Sequence, residues 1–255
     1  MDRINQLPDE LLLKILAMLP TMKDVVDTML LSKRWQLLWM MVPRIKYKDT
    51  YKHPKYGSFS LFVDRSFFRH EAPVIEALHF KLGSICGSED IHAWMRSADK
   101  RCRLYLCLPS LNDMYPAGSV FSSLVHLKIC TCETEWVNVL MCVLKDSPSL
   151  RALKLHQCHF LRSKEPRPCW NPAWNESSSV PECLLSSIET FEWVKYEGAE
   201  EEKEVVAFVF RSAKCLKKAT INFHSKTNDT DKKLEVIKEL FSSSRRSPAC
   251  QLEFR

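Results

Sequence analysis

Imidazole and thiol side chains gather twice in the middle of the chain, first as His126, Cys130 and Cys132 and then as His156, Cys158 and His159. Mixed thiolate and imidazole sets are ligands of structural zinc. Side chains alternate along a strand, so Cys130 and Cys132 share one face. Structural zinc draws instead on pairs separated by two to four residues near a turn, so the spacing argues against a metal. Nucleophilic catalysis would need a thiol or hydroxyl beside a base and an orienting acid. Eight histidines and eleven cysteines make chance pairings unavoidable. None carries a local signature such as a nucleophile elbow, and no phosphate-binding glycine loop occurs. Five glycines also leave little room for a nucleotide site built on close backbone approach. No catalytic residue, no metal and no cofactor is expected.

Two charged runs remain. Glu197 to Glu204, EGAEEEKE, could dock a basic partner, but acids at a helix start complement the positive end of its dipole, which favours a solvated helix start. Arg245 and Arg246, in SSSRRSP, could bind an anion; composition favours a surface loop.

The elements that position these groups belong to a folded chain. Its 255 residues are 45% hydrophobic and 27% charged, enough to bury one large core or two small ones, and the scarcity of glycine excludes collagen-like sequence. A net charge of +6, scattered in both signs, is the sole support for nucleic-acid binding. The N-terminus, MDRINQLPDELLLKIL, lacks the basic-then-apolar order of a secretory signal, and no apolar run approaches the ~20 residues that span a bilayer. A cytoplasmic or nuclear location is expected, with cysteines kept as thiols.

Leu11, Leu12, Ile15, Leu16 and Leu19 recur at helical spacing after Pro8, Asp9 and Glu10, predicting a helix closed by Pro20. Thr21 can cap a second helix carrying Val25, Val26, Met29 and Leu30, and Ser32 opens a third segment with Trp35, Leu38 and Trp39. Three short helices hold more apolar side chains than so small a bundle encloses. Either the rest of the chain covers the excess or a partner protein does.

The residues carry a resemblance. LPDELLLKILAMLP followed by VVDTMLLSKRWQLLW is similar to the F-box: a Leu-Pro start, an acid pair, an Ile-Leu core, a second Leu-Pro and a Leu-Ser-Lys-Arg-Trp segment. The resemblance implies three helices that bind the Skp-type adaptor of a cullin–RING ubiquitin ligase. It implies adaptor contact at Leu7, Pro8, Leu11, Leu12, Ile15, Leu16, Leu19, Val25 and Val26, and at Leu31, Ser32, Lys33, Arg34 and Trp35.

Beyond Tyr51 a pattern repeats: apolar, two residues, apolar, one residue, apolar. It occurs at Ile75-Leu78-Phe80, Leu124-Leu127-Ile129, Leu150-Leu153-Leu155, Ile188-Phe191-Trp193 and Leu216-Ala219-Ile221, with weaker copies at Arg101-Leu104-Leu106 and Ala249-Leu252-Phe254. The central members are 26, 23, 26, 38, 28 and 33 residues apart, mostly near the period of leucine-rich repeats. In such a repeat a cysteine three residues past the last strand apolar fills the inner turn, as Cys132 and Cys158 would. Helix-like stretches starting at Glu89, Glu133, Glu201 and Asp231 separate the strands. A strand and a helix in alternation predict a right-handed solenoid with a parallel sheet. The longest interval holds a Pro/Ser/Asn-rich insertion whose Trp170 and Trp174 either anchor a partner or plug the solenoid edge.

A second resemblance covers about Val180 to the end, VPECLLSSIETFEWVKYEG through QLEF, which is similar to the FBD region of plant F-box/leucine-rich-repeat proteins. Members of that family usually carry more repeats, so the middle is shortened here. The expectation is an α/β chain: an F-box over residues 1–50, degenerate leucine-rich repeats over 51–179 with a loop near 163–182, and the FBD region over 180–255. The resemblance implies a non-catalytic substrate-recognition subunit of an SCF-type ligase. It would bind the Skp-type adaptor through the F-box, through that adaptor the cullin and RING subunits, and an unknown protein substrate through the repeats, with no nucleic acid and no membrane. The alternative is an interaction scaffold without productive substrate capture.

Overall fold

A computed structural model describes residues 4–49, 56–82, 90, 91, 93, 94, 103–107, 121–132, 136–157, 180–224, 230–242 and 245–255. The N-terminal helices come first: α1 (Asp9–Met18), α2 (Met22–Asp27) and α3 (Trp35–Leu38), with 3-10 turns at Ile4–Gln6, Thr28–Leu30 and Trp39–Met41. Asp9 and Glu10 occupy the first turn of α1, where the helix dipole favours negative charge. Thr21 caps α2 as its sequence position predicts. Its Oγ accepts from the Asp24 backbone N–H at 3.3 Å, and its own N–H donates to Asp24 Oδ2 at 2.9 Å. The third segment, expected to be helical from Ser32, becomes regular only at Trp35.

Among the described residues eight strands follow: β1 (Arg44–Lys48), β2 (Ala77–Lys81), β3 (Arg103–Cys107), β4 (His126–Cys130), β5 (Ala152–His156), β6 (Thr190–Tyr196), β7 (Lys218–Phe223) and β8 (Gln251–Phe254). All are parallel, and their order across the sheet is their order in the chain. The pairing aligns the repeat with itself. Leu78, Leu104, Leu127, Leu153, Phe191, Ala219 and Leu252 form one continuous row, and Phe80, Leu106, Ile129, Leu155, Trp193, Ile221 and Phe254 form the next. β1 adds a strand that the repeat search did not assign, with Ile45 beside Leu78 and Tyr47 beside Phe80. A one-residue slip would turn an apolar row outward, so a buried face holds the register.

Helices α4 (Tyr56–Phe68), α5 (Trp136–Lys145), α6 (Glu182–Ser186), α7 (Glu200–Ser212) and α8 (Thr230–Ser242) lie in the connections. The helices expected from Glu133, Glu201 and Asp231 correspond to α5, α7 and α8. Of the stretch from Glu89, only residues 90, 91, 93 and 94 are described, and they are helical. Of the expected loop near 163–182, the described residues 180–182 lead into α6; Trp170 and Trp174 lie outside the described residues. Glu202, in the first turn of α7, accepts from the backbone N–H groups of Glu197, Gly198 and Ala199 at 2.9, 2.8 and 3.2 Å. The acidic run is thus a helix start, with Glu202 turned inward.

One apolar cluster runs through the whole array, from Leu12, Leu16 and Trp35 to Phe191, Phe210 and Ile221. The helical N-terminus and the sheet therefore share a core. A polar tie reinforces it: Lys46 Nζ on β1 donates to Ala17 O and Leu19 O at the end of α1, at 3.2 and 3.0 Å. Among the described residues no helix is long and apolar enough to cross a membrane.

Candidate functional site

Helix α1 carries two apolar stripes. Leu12 and Leu16 are buried, with Leu7, Leu13 and Leu19 packed partly against them. Leu11, Ile15 and Met18 follow one another at helical spacing on the outside, where Ile15 is 43% and Met18 80% exposed. The next segments extend this surface: Leu30 is 89% exposed, and Leu31 and Leu37 are also exposed. Exposed large apolar side chains gathered in one segment mark an interaction site more often than scattered ones do.

The residues expected to touch an adaptor divide accordingly. Pro8, Leu11, Ile15, Leu31 and Lys33 are exposed, whereas Leu7, Leu19, Val26, Ser32 and Arg34 are half-buried. Leu12, Leu16, Val25 and Trp35 hold the bundle together from inside. Arg34 is an internal staple: it donates to Asn5 O at 2.6 Å, to Leu7 O at 2.7 Å and to Asp9 Oδ1 through two nitrogens. Trp35 Nε1 donates to Asn5 Oδ1 at 2.7 Å. Within the N-terminal helices and turns, Ile4, Met18, Leu30, Leu37 and Met41 are exposed apolar residues that sequence reasoning did not select. The signal for Met18 was its place three residues after Ile15 on the outer stripe.

A second surface is the open face of the sheet, a concavity of about 1240 Å³ reaching from Arg44 on β1 to Arg255. Burial, and after it Lys46, Lys128 and Arg44, pushes His79 down to about 4. His156 is likewise lowered to about 4, by burial and then by Lys128, Lys195 and Lys154, with Glu192 opposing. Burial and Arg103 lower His126. A neutral imidazole donates one hydrogen bond and accepts another but adds no charge.

Cys107, Cys130 and Cys132 are buried together beside Tyr105, as core thiols. Among the described residues no group of three His, Cys, Asp or Glu side chains is placed to hold a metal. Cys158 and His159 lie outside the described residues.

A helical N-terminus with an outward apolar stripe, joined to a parallel sheet of repeated strands, defines a protein of the α/β class. The family model for the F-box domain matches residues 4–47, ending within β1, and the FBD model matches residues 175–221, ending within β7. A protein named as a probable FBD-associated F-box protein, from Arabidopsis thaliana, is 36% identical and covers the whole of both chains. An F-box/FBD/LRR-repeat protein of the same plant is 28% identical over 99% of each. The chain belongs to the family of FBD-associated F-box proteins. Its alignment with the first of these relatives spans 428 positions against 255 residues here, so that relative carries extra residues within the span, the sense of the expected shortening. No solved structure matches.

Proposed function

We propose that this chain is a non-catalytic substrate-recognition subunit of an SCF-type ubiquitin ligase. The outer face of the helical N-terminus docks on a Skp-type adaptor, which carries the cullin and RING subunits. The observation that supports this is the stripe of Leu11, Ile15 and Met18, continued by Leu30, Leu31 and Leu37, left exposed inside the segment similar to the F-box. An amphipathic helix presenting such anchors suits a hydrophobic groove. The domain reading that goes with it is an F-box over 1–50, leucine-rich repeats over 51–179 and the FBD region over 180–255. Parallel strands in chain order, with helices in the connections, support a right-handed solenoid of the leucine-rich-repeat kind. The mechanism is proximity: tethering a target raises its effective concentration near the ubiquitin-loaded enzyme. The working location is the cytoplasm, the nucleus or both.

Co-expression of the full chain with a plant Skp-type adaptor, followed by size-exclusion chromatography, tests the reading. The expected result is a stable complex with the wild type and none with Ile15→Glu, whose circular dichroism stays native. Adaptor retained by that variant, or no complex with a folded wild type, would overturn it. The extra residues of the 36% identical relative favour a second reading, a scaffold without productive capture. Recovery of a bound protein that accumulates on proteasome inhibition would dismiss it.

A further inference from the structure

Each strand turns an apolar row inward, and what the array turns outward is charged unevenly. Among the described residues, seven lysines and arginines line the open concavity against two carboxylates, Glu76 and Glu192. Towards the C-terminus three cations share two carboxylates: Lys218 and Arg255 reach Glu253 at 2.7 and 3.0 Å, and Lys154 reaches Glu192 at 2.7 Å. Among the described lining residues the excess of cations over carboxylates is greatest on β1 to β4, where Arg44, Lys46, Arg103 and Lys128 accompany Glu76, which lies 3.1 Å from Arg44. Lys46 is held by the α1 carbonyls, which supply partial and not full negative charge. Lys46, Lys128 and Arg44 also act on His79, after the burial that chiefly lowers it.

We propose that this face, centred on Arg103 and Lys128, binds an acidic, extended segment of a partner protein. The proposal names the chemistry of the target and rests on the reading of the sheet as the part that selects it. Charge complementarity commits the site to an acidic occupant, since a concave wall of one sign focuses the field and steers the opposite charge towards it. Size is consistent with a peptide. Lys46, His79, Tyr105, Lys128 and Lys154 share one register row across five strands. At ~4.8 Å per strand the row is about 19 Å long, the reach of roughly six extended residues. A single-stranded nucleic acid would want open aromatic faces on which bases stack. Tyr105 lines this face, and Lys128 Nζ lies 4.5 Å above its ring.

The test titrates the full chain against a short fluorescein-labelled peptide in which glutamate alternates with serine. The comparison probes are its glutamine twin, a form phosphorylated on the serines, and an oligouridylate of equal charge. The glutamate or phosphoserine peptide should bind at least about tenfold more tightly than the glutamine twin. Added salt should erode that preference. Arg103→Glu with Lys128→Glu should abolish it, and the glutamine double variant, which keeps the folded state testable if the reversal unfolds, should reduce it severalfold. Equal binding of the glutamate and glutamine peptides, binding of neither, tighter oligouridylate binding, or an undiminished preference in the glutamine double variant would each overturn the proposal. Adaptor capture is read separately by co-purification, so failure of the ligase reading and failure of this one are distinguishable.

Discussion

Arg34 and Glu202 each hold a chain end or turn through several bonds at once, and both belong to the architecture and not to a reaction. Arg34 ties the segment before α1 to the segment before α3, and its planar fork serves three acceptor groups. Arg34→Ala should lower stability by about 1–2 kcal/mol, discounted for its partial exposure. Arg34→Lys should recover less than half of that, because an ammonium cannot reproduce the fork; urea titration of the full chain reads both. Glu202 gathers three backbone donors while nearly buried, with Gly198 at a φ of +77° aiming one of them. Glu202→Ala leaves those donors without their acceptor and should cost about 2 kcal/mol in the same titration.

At the scale of elements, α1 separates folding from binding on two sides of one helix. Leu16→Ala opens a cavity in the shared core and should cost about 2–4 kcal/mol. Ile15→Ala lies on the outer stripe and should change stability by less than about 0.5 kcal/mol while weakening adaptor capture. Thermal melts and co-purification of the two variants should therefore rank in opposite orders. Equal effects on both readouts would mean that the stripe is packing and not interface.

The whole array sets the pH response. His79 and His156 titrate near 4 in the folded chain and near 6.5 when unfolded, so the unfolded state binds more protons between those values. Their contribution makes stability fall as pH drops from about 6.5 to about 4. Glu202 acts in the opposite sense. Burial outweighs its amide donors and raises it to about 7, so its folded form holds a proton that the unfolded form loses, and stability falls as pH rises from about 4.5 to 7. Two histidines against one carboxyl leave net destabilisation on acidification. Denaturant midpoints across this range should show it, with a flatter profile in His79→Gln and a steeper acid loss in Glu202→Gln. An acid-insensitive wild type would contradict the burial of these imidazoles in the folded chain.

Spacing alone determined the strand series and the apolar content of the N-terminus. A period of two inside each strand and a recurring interval between strands are local facts, and the central leucines, with Phe191 and Ala219, fall into one register row as that pattern requires. The first strand escaped because the search for repeats began beyond Tyr51, whereas Val42, Ile45 and Tyr47 carry the same pattern just after the third helical segment. Which leucine of α1 faces in was not legible. Both stripes are apolar, and the choice between Leu12 and Leu11 depends on where the sheet core lies, a contact between residues far apart in the chain. The same holds for the cationic face. Scattered lysines and arginines amount to a modest net charge of +6 in the sequence, and only parallel pairing, which stacks every second residue of successive strands on one side, gathers them into a single field.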